Sequence, residues 1–200
     1  MIYYHASDVE GIRVLKTGES SLVYFSTKRE NVLVYLSNAI KRYCLETGVP
    51  YRNECKWGPY GFTHDGRILI EEYYPDALVR TYSGEKGYIY MAEDVADSGD
   101  CSHIRDVVTS RTPVPVSGVE VVEDAYLAIL QAERDGLLAI RRYDEMTERH
   151  REWLANTIRQ QYLATDKPEY KHFLLGHFQD LLEAPMHTGA HDGKVKSDET

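Results

Sequence analysis

The chain has 200 residues, 42% of them hydrophobic and 28% charged, a composition that suits one globular domain and not a disordered segment. Against 23 basic side chains stand 32 acidic ones, for a formal charge of −9, which disfavours an undirected grip on nucleic acid or an anionic membrane. No run approaches the roughly 18 apolar residues that span a bilayer, and Met1 leads straight into Ile2-Tyr3-Tyr4-His5 without a basic leader, so a cytoplasmic location is expected. The 3 cysteines, Cys44, Cys55 and Cys101, are odd in number and irregularly spaced, which argues for reduced thiols.

In chain order, Ile2 to His5 and Ser21 to Ser26 are rich in strand formers and read as two buried strands. Thr27 and Glu30 have capping-box spacing, predicting a helix from Thr27 with Val32, Leu36, Ala39, Ile40 and Tyr43 inward. The aromatic run Trp57 to Phe62 and the segment Arg67 to Tyr74 are joined by His64-Asp65-Gly66, a hairpin signal. A strand follows at Gly87 to Met91, then a polar connection from Glu93 to His103. Val107 to Thr109 and Val114 to Val122 read as a last strand pair, with Pro113, Pro115 and Gly118 suiting an edge.

Next comes a helix from Glu123 to Asp135 ended by Gly136, then a short strand at Leu137 to Ile140. Two amphipathic helices close the chain. The first, Thr147 to Leu163, carries Trp153, Leu154, Thr157, Ile158 and Tyr162 in phase, and the second, Pro168 to Leu182, carries Phe173, Leu174, His177, Phe178 and Leu181. The expectation is an α+β fold, with a mixed or antiparallel sheet, flanking helices and a C-terminal helical pair, as one domain over residues 1–184. Residues 185–200 are polar and aperiodic and are expected to form a disordered tail.

Tyr4-His5-Ala6-Ser7, followed by Tyr24-Phe25-Ser26-Thr27 and then Tyr35, resembles the opening of the ADP-ribosyltransferase superfamily, in particular its diphtheria-toxin-like branch. The resemblance covers the first forty or so residues. It implies a split-sheet core whose pocket holds NAD as substrate, contacted by His5, Ala6, Tyr24, Phe25, Ser26 and Tyr35. His5 would hold the ribose hydroxyls, the aromatic rings would surround the nicotinamide, and a glutamate would act beneath the sugar. Two departures stand out: Phe25 replaces a tyrosine of the toxin pattern, and Tyr35 falls one position early.

The chemistry explains why such residues serve. Cleavage of the nicotinamide–ribose bond passes through an oxocarbenium-like centre, which asks for charge stabilisation and positioning more than for a strong nucleophile. Tyrosine faces suit a cationic nicotinamide. No motif places the glutamate. Glu71, Glu72, Glu93 and Glu120 are candidates, and Glu93 is favoured because it ends a late, glycine-flanked strand; the catalytic set is then His5, Tyr35 and Glu93.

Structural explanations compete with these assignments. His5 on an apolar strand suits a core histidine, the capping box accounts for Thr27, and Tyr24, Phe25 and Tyr35 suit a core. The Trp57 to Phe62 run is either a packed turn or the lining of a ligand cleft. Cys101 and His103 lack a second pair at zinc spacing, and no Walker, Rossmann or serine-elbow motif is present, so neither a metal nor those chemistries are expected. Two functions remain. One is an NAD-dependent enzyme that passes ADP-ribose to an unknown macromolecular acceptor, or hydrolyses NAD, in a setting such as a toxin. The other is a non-catalytic interaction domain with the same cleft.

Overall fold

Strand-forming runs near both ends of the N-terminal half come together in the computed structural model, which describes residues 1–17, 21–53 and 55–183. The tail expected from residue 185 lies outside the described residues. In chain order the elements are β1 (Tyr3–Ser7), β2 (Val14–Leu15), β3 (Val23–Ser26), a 3-10 helix (Glu30–Tyr35), α1 (Ala39–Thr47), β4 (Tyr60–Phe62), β5 (Ile68–Glu71), α2 (Ala77–Tyr82), β6 (Gly87–Ala92), β7 (Val107–Ser110), β8 (Val114–Pro115), β9 (Gly118–Val122), α3 (Ala125–Arg134), β10 (Leu138–Arg141), a 3-10 turn (Tyr143–Glu145), α4 (Glu148–Ala164) and α5 (Pro168–Glu183).

The fold is α+β. A five-stranded sheet runs β7-β3-β1-β6-β9, a three-stranded one runs β10-β5-β4, and β2 with β8 forms a small ribbon. All pairs in the large sheet are antiparallel. In the smaller sheet β5 pairs antiparallel with β4 and parallel with β10. The β4–β5 hairpin turns at His64 to Gly66, where Gly66 has φ +85°, a backbone state that glycine adopts without steric cost.

Three apolar clusters hold the layers together. One face of the large sheet packs Ile89 and Val122 against Leu33 of the 3-10 helix and Leu36 just after it, Ile129 of α3 and Ile68 of β5. The other face buries Phe25, Tyr88 and Tyr90 beneath Leu15 and Val114 of the ribbon. The third cluster gathers Ile40, Cys44, Trp57, Tyr74, Leu154, Ile158, Phe173, Leu174 and Phe178 between α1, α4 and α5. Among the described residues no helix is long and apolar enough to cross a membrane.

Several local expectations are corrected. The helix expected from Thr27 begins at Glu30 and stops at Tyr35, and α1 starts afresh after Asn38. Thr27 stays at the sheet because its N–H donates to the Asp106 carbonyl (2.9 Å). Asn38, in an extended conformation, accepts from the amides of Ile40 (3.1 Å) and Trp57 (3.2 Å) and caps α1, as short polar side chains do at helix starts. The expected last strand pair is no pair: β7 adds to β3 and β9 adds to β6, at opposite edges of the large sheet. Between them β8 leaves to join β2. The strand through Tyr74 ends at Glu71, and the unforeseen α2 follows. Trp153, expected inward on α4, is 49% exposed, and α5 is interrupted at Phe178 (φ −132°).

Candidate functional site

Strand alternation sends successive side chains to opposite faces of a sheet. Tyr4 stands opposite Ser26 of β3 and Met91 of β6, whereas His5 stands opposite Tyr90. His5 therefore shares a face with Phe25, whose ring centroid lies 6.0 Å from the imidazole. Ala6, Tyr24 and Ser26 belong to the other face. Of the six residues expected to contact NAD, five thus lie along the same two strands but divide between two faces, and Tyr35 ends the 3-10 helix. Phe25 is enclosed at 2% exposure, and Tyr24 is exposed at 45%.

The ladder between β1 and β3 is short. β1 pairs with β6 at five consecutive positions but with β3 only at Tyr4–Ser26. Beyond that position no ladder pair links β1 to β3. There the His5 side chain takes over, Nδ1 lying 2.8 Å from the Tyr24 carbonyl. A carbonyl can only accept, so Nδ1 carries the hydrogen. Burial holds the His5 pKa below its ordinary value, and the Lys56 charge adds to this against the opposing pull of the Tyr24 carbonyl. The neutral ring so favoured offers Nε2 as an acceptor.

Lys56 belongs to the lining of a cavity of about 540 Å³, which also includes Asp8, Tyr35, Asn38, Lys41, Trp57, Tyr60 and Glu85. That volume falls within the range of small-molecule sites, about 300–1,000 Å³. Its walls come from the 3-10 helix, the cap of α1, the residues Tyr51, Asn53, Lys56 and Trp57, and β4. Tyr35 and Tyr60 bridge it, their rings edge to face at 5.7 Å and their hydroxyls hydrogen-bonded. Burial and the Tyr60 hydroxyl push the Tyr35 pKa far above the ordinary tyrosine value, so the Tyr35 phenol stays neutral.

The candidate carboxylates are dispersed. Glu93 sits in a bend just after β6; the register places Tyr3 opposite Ala92 and His5 opposite Tyr90, so Glu93 lies level with Ile2, three residues along the sheet from His5. Glu120, on β9, accepts from Nε and Nη2 of Arg29. Glu71 accepts from Arg141 and from the Tyr73 hydroxyl (3.1 Å). Glu72 is buried and accepts the Leu78 amide (2.8 Å) and the Tyr143 amide (3.4 Å), tying α2 to the segment after β10. Asp106, absent from the sequence-based candidates, pairs with Lys28 at 3.0 Å. Among the described residues no group of three or more metal-ligating side chains occurs.

Of the cavity residues, sequence reasoning reached Tyr35 and the Trp57–Tyr60 segment, because aromatic runs stand out. It missed Asp8, Asn38, Lys41, Lys56 and Glu85, which carry no motif. No protein-family model, curated protein or solved structure matches the chain. The fold class and the geometry of the cavity are therefore the grounds for a functional reading.

Proposed function

We propose that the chain is an ADP-ribosyltransferase-like protein with a split-sheet core, which binds NAD where β1 and β3 part. Its reaction is cleavage of the nicotinamide–ribose bond, with ADP-ribose passing to a macromolecular acceptor or to water. The observation that carries this reading is His5, its tautomer set by the Tyr24 carbonyl and its ring within electrostatic reach of the cavity-lining Lys56. In that state Nε2 accepts a ribose hydroxyl, and Tyr35 and Tyr60 supply the aromatic wall against which a nicotinamide packs.

One observation favours a second reading, binding without turnover. Asp8 pairs with Lys41, Glu85 with Arg42, Glu120 with Arg29 and Asp106 with Lys28, so each of these carboxylates is already answered by a cation. The assay that separates the readings follows nicotinamide release from NAD, with and without cell lysate as acceptor. Turnover by the wild type, abolished by His5→Ala and strongly reduced by Glu93→Gln, is the outcome expected of the enzyme. Loss in Glu120→Gln instead of Glu93→Gln moves the carboxylate but keeps the reaction. NAD binding with no release leaves the binding module, and no NAD binding at all rejects the enzyme and favours an interaction domain for another ligand.

A further inference from the structure

The cavity lining carries two carboxylates, Asp8 and Glu85, and two ammonium groups, Lys41 and Lys56, but they are not paired with one another throughout. Asp8 is answered by Lys41 at 2.7 Å, and Glu85 by Arg42 at 2.6 Å. Lys56 has no ion pair among the described residues, and its charge acts on both His5 and Asp8. The same wall holds the start of α1, where Asn38 caps the helix and Lys41 lies in its first turn; helix starts carry partial positive charge. An ammonium with no ion pair among the described residues, in a cavity that also holds Lys41, Tyr35, Trp57 and Tyr60, suits a ligand that joins negative charge to flat rings.

We propose that Lys56, assisted by Lys41, holds the diphosphate of a dinucleotide or nucleoside diphosphate in this cavity, so that the site selects its ligand by the diphosphate as much as by the rings. This deepens the NAD reading and rests on it. Lysine meets a phosphate as a mobile point charge, which suits a group on the loop before Trp57. The paired Lys41 can turn from Asp8 toward the same phosphates without leaving the cavity wall.

Calorimetric titration of the full chain with NAD, ADP-ribose, adenosine and inorganic pyrophosphate tests this. Lys56→Gln should weaken ADP-ribose and NAD by roughly 10- to 100-fold, the scale of a hydrogen bond to a charged group, and Lys56→Arg should restore most of the loss. Adenosine should bind wild type and Lys56→Gln alike. Because Lys56 is exposed, the variant should keep the wild-type circular dichroism spectrum. Unchanged ADP-ribose affinity in Lys56→Gln overturns the proposal, as does an equal loss for adenosine, or failure of all four ligands to bind. NAD binding that ignores Lys56 sinks this inference and leaves the NAD reading standing. ADP-ribose or pyrophosphate binding that depends on Lys56, with NAD itself excluded, does the reverse.

Discussion

Replacing Phe173 by alanine probes the joint between α5 and the cavity wall. Phe173 is 0% exposed. Its ring meets Tyr43 (5.8 Å), Trp57 (5.3 Å), Tyr74 (6.0 Å), Tyr170 (6.4 Å), His177 (4.9 Å) and Phe178 (6.3 Å). Truncating an enclosed phenylalanine costs about 3–5 kcal/mol, and more where the surroundings cannot close over the void. These neighbours are stiff rings anchored on α1, the Trp57 loop, the β5–α2 connection and α5 itself, so the cost belongs at about 4–5 kcal/mol. For a chain of this size that lowers the melting temperature by about 10–15 °C. Urea unfolding followed by circular dichroism should show a lower midpoint at unchanged slope. Phe173→Leu, which keeps most of the volume, should lose no more than about 1.5 kcal/mol. A loss below about 1 kcal/mol in Phe173→Ala would refute the reasoning and show α5 resting loosely on the domain. Trp57 packs on Phe173 and lines the cavity, so the same variant should also weaken nucleotide binding.

His177 makes stability depend on pH: burial, reinforced by the Arg80 charge, pushes its pKa down to about 4, and its ring stacks on Tyr74 at 4.0 Å. The unfolded chain, with an ordinary value of about 6.5, takes up the proton first. The stability held by His177 is therefore complete above about pH 6.5 and is lost as pH falls toward 4. Allowing for water around the half-buried ring, the loss is about 1–2 kcal/mol, and His177→Gln should remove that part of the slope; an unchanged pH profile would contradict it. Gly176→Ala sets two effects against each other, a gain of about 1 kcal/mol in helix propensity and an overpacking cost of about 1–3 kcal/mol. The new methyl would run into the Tyr43 ring of α1, so net destabilisation is expected in chemical unfolding, and a stabilised variant would show that α1 and α5 yield freely.

By itself the sequence determined what short-range patterns encode. The 3.6-residue period marked α3, α4 and α5 nearly to their ends, Asp65-Gly66 marked the β4–β5 hairpin, and strand-forming runs marked β1, β3, β6 and β10. These signals are local, because a buried helix face or a tight turn leaves its imprint on neighbouring residues. Where local codes competed, the reading failed: the capping box at Thr27 lost to a sheet hydrogen bond from its own amide, and Asn38 started the helix instead. Strand partners lay beyond reach, since the runs around Val107 and Val119 look like a pair and only the closed sheet sends them to opposite edges. The candidate site divides along the same line. Tyr4-His5 and Tyr24-Phe25-Ser26 were legible as a motif, but the register of β1 against β3 and β6 decided which faces they serve. The charged lining of the cavity was decided by tertiary structure, because Asp8, Lys41, Lys56 and Glu85 are far apart in the chain and common surface residue types, and only packing that joins the end of β1, α1 and the residues before Trp57 turns them into one wall.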